Sequence, residues 1–162
     1  MYTKIYWLQL FANATKLGIM PRPRGGDWLD NEIANLEKHD VGVLVSLLQQ
    51  DEIDELGLTA EQSLCLEHQI EYIHFPITDR DIPSSKHKTA ELVNRLRKLL
   101  ANGTSVVIHC RMGIGRSSII AGAVLLSTGL SNDEIVTQIS KARGVKVPDT
   151  EEQLQWFRQL RL

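Results

Sequence analysis

Short runs of β-branched and apolar residues alternate along this chain with segments whose apolar residues recur at helical spacing. Val41–Leu48 and Ser105–His109 are continuous apolar runs, typical of strands that are buried on both faces. Between them, Ser85–Leu100 places Leu92 and Leu96 on one stripe of a helix. The alternation predicts an α/β fold in which helices flank a central, mostly parallel sheet.

The remaining elements follow from the same patterns and from helix-capping signals. Further strands are predicted at Tyr72–Ile77 and at two short runs that could pair, Lys4–Leu10 and Leu17–Met20. Further helices are predicted at about Asp27–His39, from a capping box at Thr59–Gln62 toward His68, at Arg116–Ser127, at Ser131–Arg143 and from Thr150 onward. No repeat, low-complexity tract or long linker divides the chain, so residues 1–162 are predicted to form a single domain.

The overall charge argues against several classes of partner. The formal net charge is −2, so no general basic field favours nucleic acid or an acidic membrane. The longest apolar run, Ile119–Leu126, is too short to span a bilayer, and the N-terminus lacks the pattern of a secretory signal. Two cysteines suit free thiols in a reducing compartment, so we expect a cytoplasmic protein. The sequence leaves its oligomeric state open.

The segment after the Ser105–His109 run is the strongest candidate for chemistry. Gly113 and Gly115 lie between Cys110 and Arg116, so this short loop can curl with its backbone N–H groups pointing inward. The following helix directs its positive end at the same place, and Arg116 offers a planar fork of donors. The pattern predicts a phosphate-binding loop made of Arg111, Met112, Gly113, Ile114, Gly115 and Arg116.

Cys110 is the predicted nucleophile of this loop. A helix N-terminus and a nearby guanidinium favour the thiolate, which is the reactive form of cysteine. His109 is expected to orient the loop by hydrogen bonding to its backbone. Ser117 could donate a hydrogen bond to the Cys110 sulfur when that sulfur leaves in a second, hydrolytic step.

Attack by Cys110 on a phosphate ester also requires a general acid on a separate loop. The polar segment Phe75–Pro83 supplies two carboxyl groups. Asp79 is the predicted acid, later acting as a base on water, and Asp81 is the reserve. The scattered histidines do not suggest a metal site, and the mechanism needs neither metal nor cofactor.

The pattern His109-Cys110-x5-Arg116-Ser117 with Gly113 resembles the signature of the cysteine-based protein tyrosine phosphatase superfamily. One-domain length, Pro76-Ile-x-Asp79 and Gly113-Ile-Gly115 are most similar to small dual-specificity members of the kinase-associated phosphatase type. The resemblance implies a protein tyrosine phosphatase-like fold and a phosphorylated protein substrate. It also implies hydrolysis of phosphotyrosine, and of phosphoserine and phosphothreonine, through a phospho-cysteine intermediate.

Several alternatives remain open at this stage. A catalytically silent phosphate-binding module shares the fold, although such modules usually lose the cysteine, the arginine or the acid. Sulfur transfer and arsenate reduction also use cysteine–arginine loops, but they leave Ser117 and Asp79 unexplained. Lipid-directed relatives often carry two lysines in the loop where this chain has Arg111 and Ile114, which makes a phosphoinositide a less favoured substrate.

Five residues outside the loop have both a functional and an ordinary interpretation. Some members of the family that the chain resembles protect the nucleophile with a disulfide to a second cysteine, and the resemblance makes Cys65 a candidate partner for Cys110. A lone cysteine between leucines is more often a small buried apolar residue. Arg22, Arg24 and Trp28 could line the rim of the pocket, although solvated basic residues near a turn are more common. Gln153 resembles a residue that follows the family's last loop, but the sequence favours its role as a helix cap.

Overall fold

The computed structural model describes all residues from 1 to 162 and contains five strands and seven α-helices. The strands are β1 (Tyr6–Leu10), β2 (Lys16–Met20), β3 (Val41–Ser46), β4 (Glu71–His74) and β5 (Ser105–His109). The helices are α1 (Leu29–Lys38), α2 (Gln50–Glu55), α3 (Glu61–Glu67), α4 (Lys86–Ala101), α5 (Arg116–Leu125), α6 (Asn132–Arg143) and α7 (Glu151–Gln159). Single 3₁₀ turns occur at Ala12–Ala14, Gly26–Trp28 and Leu126–Thr128.

The strands form one sheet in the order β1-β2-β5-β3-β4. Only β1 runs antiparallel to its neighbour, while β2, β5, β3 and β4 are parallel to one another. Strand β5 lies at the centre and all five of its residues are buried, as its continuous apolar sequence requires. The predicted α/β fold with a mostly parallel sheet is confirmed.

The two faces of the sheet contact different helices. Val106 and Ile108 belong to the larger core cluster, which includes residues of α4, α5, α6 and α7. Val107 belongs to the smaller cluster, which includes residues of α1, α2 and α3. This division follows from the strand geometry, because successive side chains of a strand point to opposite faces. No helix of the protein is both long and apolar enough to cross a membrane.

Most predicted elements are present, with local differences at their ends. β3 ends at Ser46, before the predicted limit of Leu48. β4 ends at His74 rather than Ile77, because Pro76 has no N–H group with which to continue the ladder. The predicted capping box at Thr59–Gln62 is wrong: α3 begins at Glu61 after Ala60, and no side chain caps it.

Helix α2 was not predicted from the sequence. It has only six residues, and all except Ile53 are acidic or amide side chains, so it lacks a clear apolar stripe. Its capping box joins Gln49 to Glu52 instead. The helix follows β3 at the same edge of the sheet as the loop after β5.

Candidate active site

The loop from Cys110 to Arg116 connects β5 to α5, and four of its successive carbonyl groups contact donor groups outside the loop. The Cys110 carbonyl oxygen lies 3.2 Å from His109 Nδ1, and the Arg111 carbonyl oxygen lies 3.2 Å from the Arg22 amide nitrogen. Arg143 contacts the next two carbonyl oxygens, with 3.0 Å from its Nη2 to Met112 and 3.1 Å from its Nε to Gly113. The loop is therefore held in shape from its outer side.

The backbone amides of the same loop are left free by this arrangement. In a trans peptide the N–H points away from the carbonyl of the same peptide unit, and the only cis peptide in the protein is Val147–Pro148. None of the N–H groups of residues 111–115 donates a hydrogen bond within the protein. Gly113 adopts φ +69°, which lets the chain curl tightly. The loop thus has the form of an anion-binding nest.

Cys110 lies at the base of this loop and is 3% exposed. Its sulfur accepts a hydrogen bond from the Ser117 hydroxyl, with 2.8 Å between Oγ and Sγ. Ser117 is the second residue of α5, so the helix N-terminus and the hydroxyl reach the sulfur together. Donors placed in this way stabilise negative charge on sulfur.

Arg116 is 2% exposed, and its guanidinium forms a bidentate ion pair with Glu52 of α2. The distances are 2.8 Å from Nη1 to Oε2 and 2.9 Å from Nη2 to Oε1. Nη1 also donates to the carbonyl of Ile77 at 2.9 Å, whereas Nε has no partner in the protein. Burial alone would lower the pKa of Arg116, but Glu52 and the nearby Cys110 and Asp79 raise it overall. The arginine is thus rigidly positioned and stays charged.

Glu52 shows the complementary effect. Burial raises the pKa of this carboxyl, but the bonds from Arg116 and from the Gln49 amide lower it more strongly. Arg111 lies farther away, with 3.9 Å between its Nη1 and Glu52 Oε1. Glu52 is therefore the anion that fixes Arg116 at the loop.

The two candidate acids differ in what they contact. Asp79 Oδ1 accepts a hydrogen bond from Arg116 Nη2 at 2.9 Å, and its side chain is 53% exposed. Asp81 Oδ1 instead accepts from the neighbouring Ile82 amide at 2.7 Å. Asp79 lines the same cavity as Cys110, and Asp81 does not.

The cavity above the loop combines predicted and unpredicted residues. It is lined by Asp79, Arg80, Cys110, Met112, Ile114, Gly115, Arg116, Asp149 and Gln153. Arg80 and Asp149 form an ion pair of 2.7 Å across its rim. Gln153 caps α7, as the sequence favours, and its amide also donates to the Asp81 carbonyl at 3.0 Å. It therefore joins α7 to the acid loop.

A comparison with protein families now adds to this geometry. The family described as "polymorphic toxin system, DSP-PTPase phosphatase" matches residues 18–130, which is well over half of the chain. The chain belongs to this family. The chain is also similar to human dual specificity protein phosphatase 15, with 26% identity over 116 residues. That match covers 65% of the chain and 39% of the human protein, so the chain corresponds to well under half of that relative.

Solved structures show the same fold. Kinase associated phosphatase, with serine replacing its catalytic-site cysteine, matches with a TM-score of 0.89 and 20% identity, over 98% of this chain and 94% of that chain. The active form of Tk-PTP matches with a TM-score of 0.75 and 22% identity, over 95% and 97% of the two chains. The predicted resemblance to small dual-specificity-type phosphatases is confirmed.

Among the residues outside the loop that have two interpretations, Gln153 lines the cavity and Arg22 contacts the loop, whereas Cys65, Arg24 and Trp28 do neither. Cys65 is fully buried in the smaller core cluster, whereas Cys110 belongs to the larger one. Burial, followed by the charge of Glu61, raises the pKa of Cys65 to about 12, which opposes thiolate chemistry. Arg24 stacks on Trp28 and pairs with Glu32, so neither side chain lines the cavity. Arg22 contributes its backbone amide to the loop.

Sequence reasoning missed two residues that hold the loop, Glu52 and Arg143. A carboxylate soon after the end of β3 was a usable signal for Glu52, because parallel strands bring their carboxyl ends to one edge. Arg143 gave no such signal. It lies at the end of α6, 30 residues after the carbonyl of Gly113 that it contacts.

Proposed function

We propose that this phosphatase hydrolyses phosphate monoesters on protein side chains, phosphotyrosine and also phosphoserine and phosphothreonine, through a phospho-cysteine intermediate on Cys110. Residues 1–162 act in this proposal as one phosphatase domain. The observation that carries it is the row of free amides at residues 111–115 around the Cys110 sulfur, closed by Arg116. Such a site suits a phosphate group, which is a tetrahedral dianion whose phosphorus atom the thiolate can attack.

Substrate binding begins with an exchange of partners at Arg116. The phosphoryl oxygens accept hydrogen bonds from the loop amides and from Arg116 Nε, which is free. Asp79 leaves Nη2, so that Nη2 and Nε together offer the planar fork that a phosphate prefers. Glu52 keeps the other side of the guanidinium fixed during this exchange.

The first chemical step transfers the phosphoryl group to sulfur. The Cys110 thiolate attacks phosphorus, the S–P bond forms and the bond from phosphorus to the ester oxygen breaks. Asp79 donates a proton to that leaving oxygen and becomes a carboxylate. The dephosphorylated side chain then departs.

The second step returns the enzyme to its starting state. Asp79 removes a proton from a water molecule that attacks phosphorus, and the S–P bond breaks. The Ser117 hydroxyl, 2.8 Å from Sγ, donates a hydrogen bond to the departing thiolate. Inorganic phosphate leaves the loop, and Arg116 contacts Asp79 again.

The test compares wild type and Cys110→Ser in the hydrolysis of para-nitrophenyl phosphate. We expect turnover by wild type, inhibition by vanadate and no turnover by the variant. A panel of otherwise identical peptides bearing each of the three phosphoresidues, with a phosphoinositide as a fourth substrate, then ranks the substrates. If wild type binds phosphopeptides but releases no phosphate, the silent binding module is correct and the proposal is wrong.

A further inference from the structure

A buried acid–histidine pair lies directly beneath the phosphate-binding loop, and no step of the proposed reaction uses its acid. Glu61 is the first residue of α3 and His109 is the last residue of β5, and both are 0% exposed. Glu61 Oε2 lies 2.8 Å from His109 Nε2. Glu61 Oε1 has no hydrogen-bond partner, and a buried carboxyl oxygen left unpaired costs stability. Such a residue calls for an explanation beyond packing.

The contacts of the His109 ring fix how many protons the pair holds. Nδ1 lies 3.2 Å from the carbonyl oxygen of Cys110, and a carbonyl can only accept, so Nδ1 must carry a proton. The contact between Nε2 and Glu61 requires a second proton. A neutral histidine beside an ionised Glu61 could satisfy only one of these contacts. A protonated Glu61 beside a neutral histidine would satisfy both contacts as well. Because an imidazole is ordinarily a stronger base than a carboxylate, we assign the second proton to the ring, which makes the pair an imidazolium and a carboxylate.

The two titratable side chains nearest the pair, Tyr72 and Cys65, are neutral. Tyr72 of β4 faces Glu61 and Ser46 of β3, and burial, then the charge of Glu61, raises the pKa of the Tyr72 phenol. Cys65 faces Glu61 from one turn along α3, and its thiol stays neutral. On the side of α1, Asp30 and Glu37 bind the more exposed His68.

The pair acts on the loop through Cys110. The Cys110 carbonyl is the first of the four that are held outward, so its bond to Nδ1 turns the Arg111 amide to the opposite side. The positive ring is also closer to Cys110 along this path than the Glu61 carboxylate is. A nearby positive charge favours a thiolate over a thiol.

We propose that Glu61 is a positioning residue that keeps His109 an imidazolium beside Cys110, and so extends the nucleophile's working range to lower pH. The inference rests on the proposed function in one respect, because it takes Cys110 as the nucleophile. In chemical terms, the Glu61 carboxylate on α3 keeps a proton on His109 at the end of β5.

The test substitutes Glu61→Gln, which keeps the shape and a hydrogen bond to Nε2 but removes the charge. The matched control is Glu67→Gln, an exposed acid on the same helix with no hydrogen bond in the structure. Two pH profiles are measured: kcat/KM for para-nitrophenyl phosphate and the rate of Cys110 alkylation by iodoacetamide. In Glu61→Gln we expect the acidic limb of both profiles to move to higher pH by about half a unit to one unit. We expect no shift in the control.

A measurement on the wild-type protein does not depend on whether Glu61→Gln folds. In ¹⁵N-histidine-labelled protein, with the His109 signals assigned through His109→Gln, we expect both ring nitrogens to remain protonated near neutral pH. An unprotonated ring nitrogen in wild-type His109, or unshifted profiles in a folded Glu61→Gln, would overturn the inference. Because alkylation requires no turnover, a wild type that never hydrolyses phosphate would contradict the proposed function and still leave this inference tested.

Discussion

Ser117 and Ser118 are neighbours at the start of α5, yet their hydroxyl groups have different surroundings. The Ser117 hydroxyl donates to the Cys110 sulfur, whereas the buried Ser118 hydroxyl has no partner. A hydroxyl beside the sulfur matters most when the thiolate is released, which in the proposed reaction is the second step. The two serines therefore allow a test in which the chemical change is the same and only the position differs.

Ser117→Ala is expected to slow the hydrolysis of phospho-Cys110 more than its formation. With para-nitrophenyl phosphate, rapid mixing should show a burst of nitrophenolate close to one equivalent, followed by a steady rate roughly 10–100-fold below that of wild type. Ser118→Ala should retain wild-type kinetics, since it removes a hydroxyl that makes no bond. Equal slowing in both variants, without a burst, would contradict the assigned role of Ser117.

The two cysteines also differ at the residue scale. Because Cys65 is fully buried and its thiol has a pKa of about 12, we expect native protein to incorporate one equivalent of iodoacetamide, at Cys110. Unfolded protein should incorporate two, which serves as the control for reagent and stoichiometry. Mild peroxide should produce no Cys65–Cys110 disulfide, and mass spectrometry would reveal one as a loss of two hydrogens that is absent in Cys65→Ser.

At the scale of elements, the loop from Cys110 to Arg116 depends on close contact with the segment after β2. A Cβ built on Gly113 would lie 2.7 Å from the carbonyl carbon of Met20 and from the nitrogen of Pro21. Both are backbone atoms and cannot move aside easily. Gly129, which ends the turn after α5, has a similarly positive φ of +89°, but its Cβ would meet nothing within 4 Å.

Gly113→Ala should therefore cost more than Gly129→Ala. The control pays only the left-handed backbone penalty of about 1–2 kcal/mol in the free energy of unfolding. Gly113→Ala adds a backbone clash, so we expect a larger loss in urea denaturation and loss of vanadate binding. Similar stability losses, with vanadate binding retained in both variants, would show that the loop tolerates a side chain.

At the scale of the whole molecule, buried carboxylates connect distant segments and make stability depend on pH. Glu32 on α1 accepts hydrogen bonds from the backbone N–H groups of Thr3 and Arg24, both at 3.0 Å, and from the Thr3 hydroxyl. Burial raises the pKa of Glu32, but these bonds lower it overall. A carboxyl group whose pKa is lower in the folded state than in the unfolded state stabilises the folded protein at pH values above the unfolded-state pKa. This stabilisation is lost as the pH falls through the folded-state pKa.

We expect the free energy of unfolding of wild type to fall as the pH drops below the ordinary value of 4.5 for Glu32. Glu32→Gln should be less stable than wild type at pH 7, and its stability should decline less toward pH 3. The difference between the two proteins should then shrink with acidity in urea titrations. The exposed Glu67→Gln should follow the wild-type curve; a constant difference between wild type and Glu32→Gln would contradict the assignment.

Much of this protein follows from local sequence. The continuous apolar run of β5 predicted a buried central strand, and the glycines after it predicted a tight loop leading into a helix. These features depend on contacts between near neighbours and on the intrinsic geometry of the backbone. The same local pattern brought Cys110, Arg116 and Ser117 together, because all three lie within one short segment.

Other features depended on the tertiary structure. Glu52 and Arg143 bind the loop from α2 and α6, and Glu61 reaches His109 from α3, 48 residues away in sequence. The packing of the helices on the two faces of the sheet decides which buried acid contacts which cation. The spacing of these residues in the sequence does not predict this pairing. The sequence by itself determined the reactive segment. The fold decided which charges hold it in place, because those charges come from elements that meet only when the sheet is assembled.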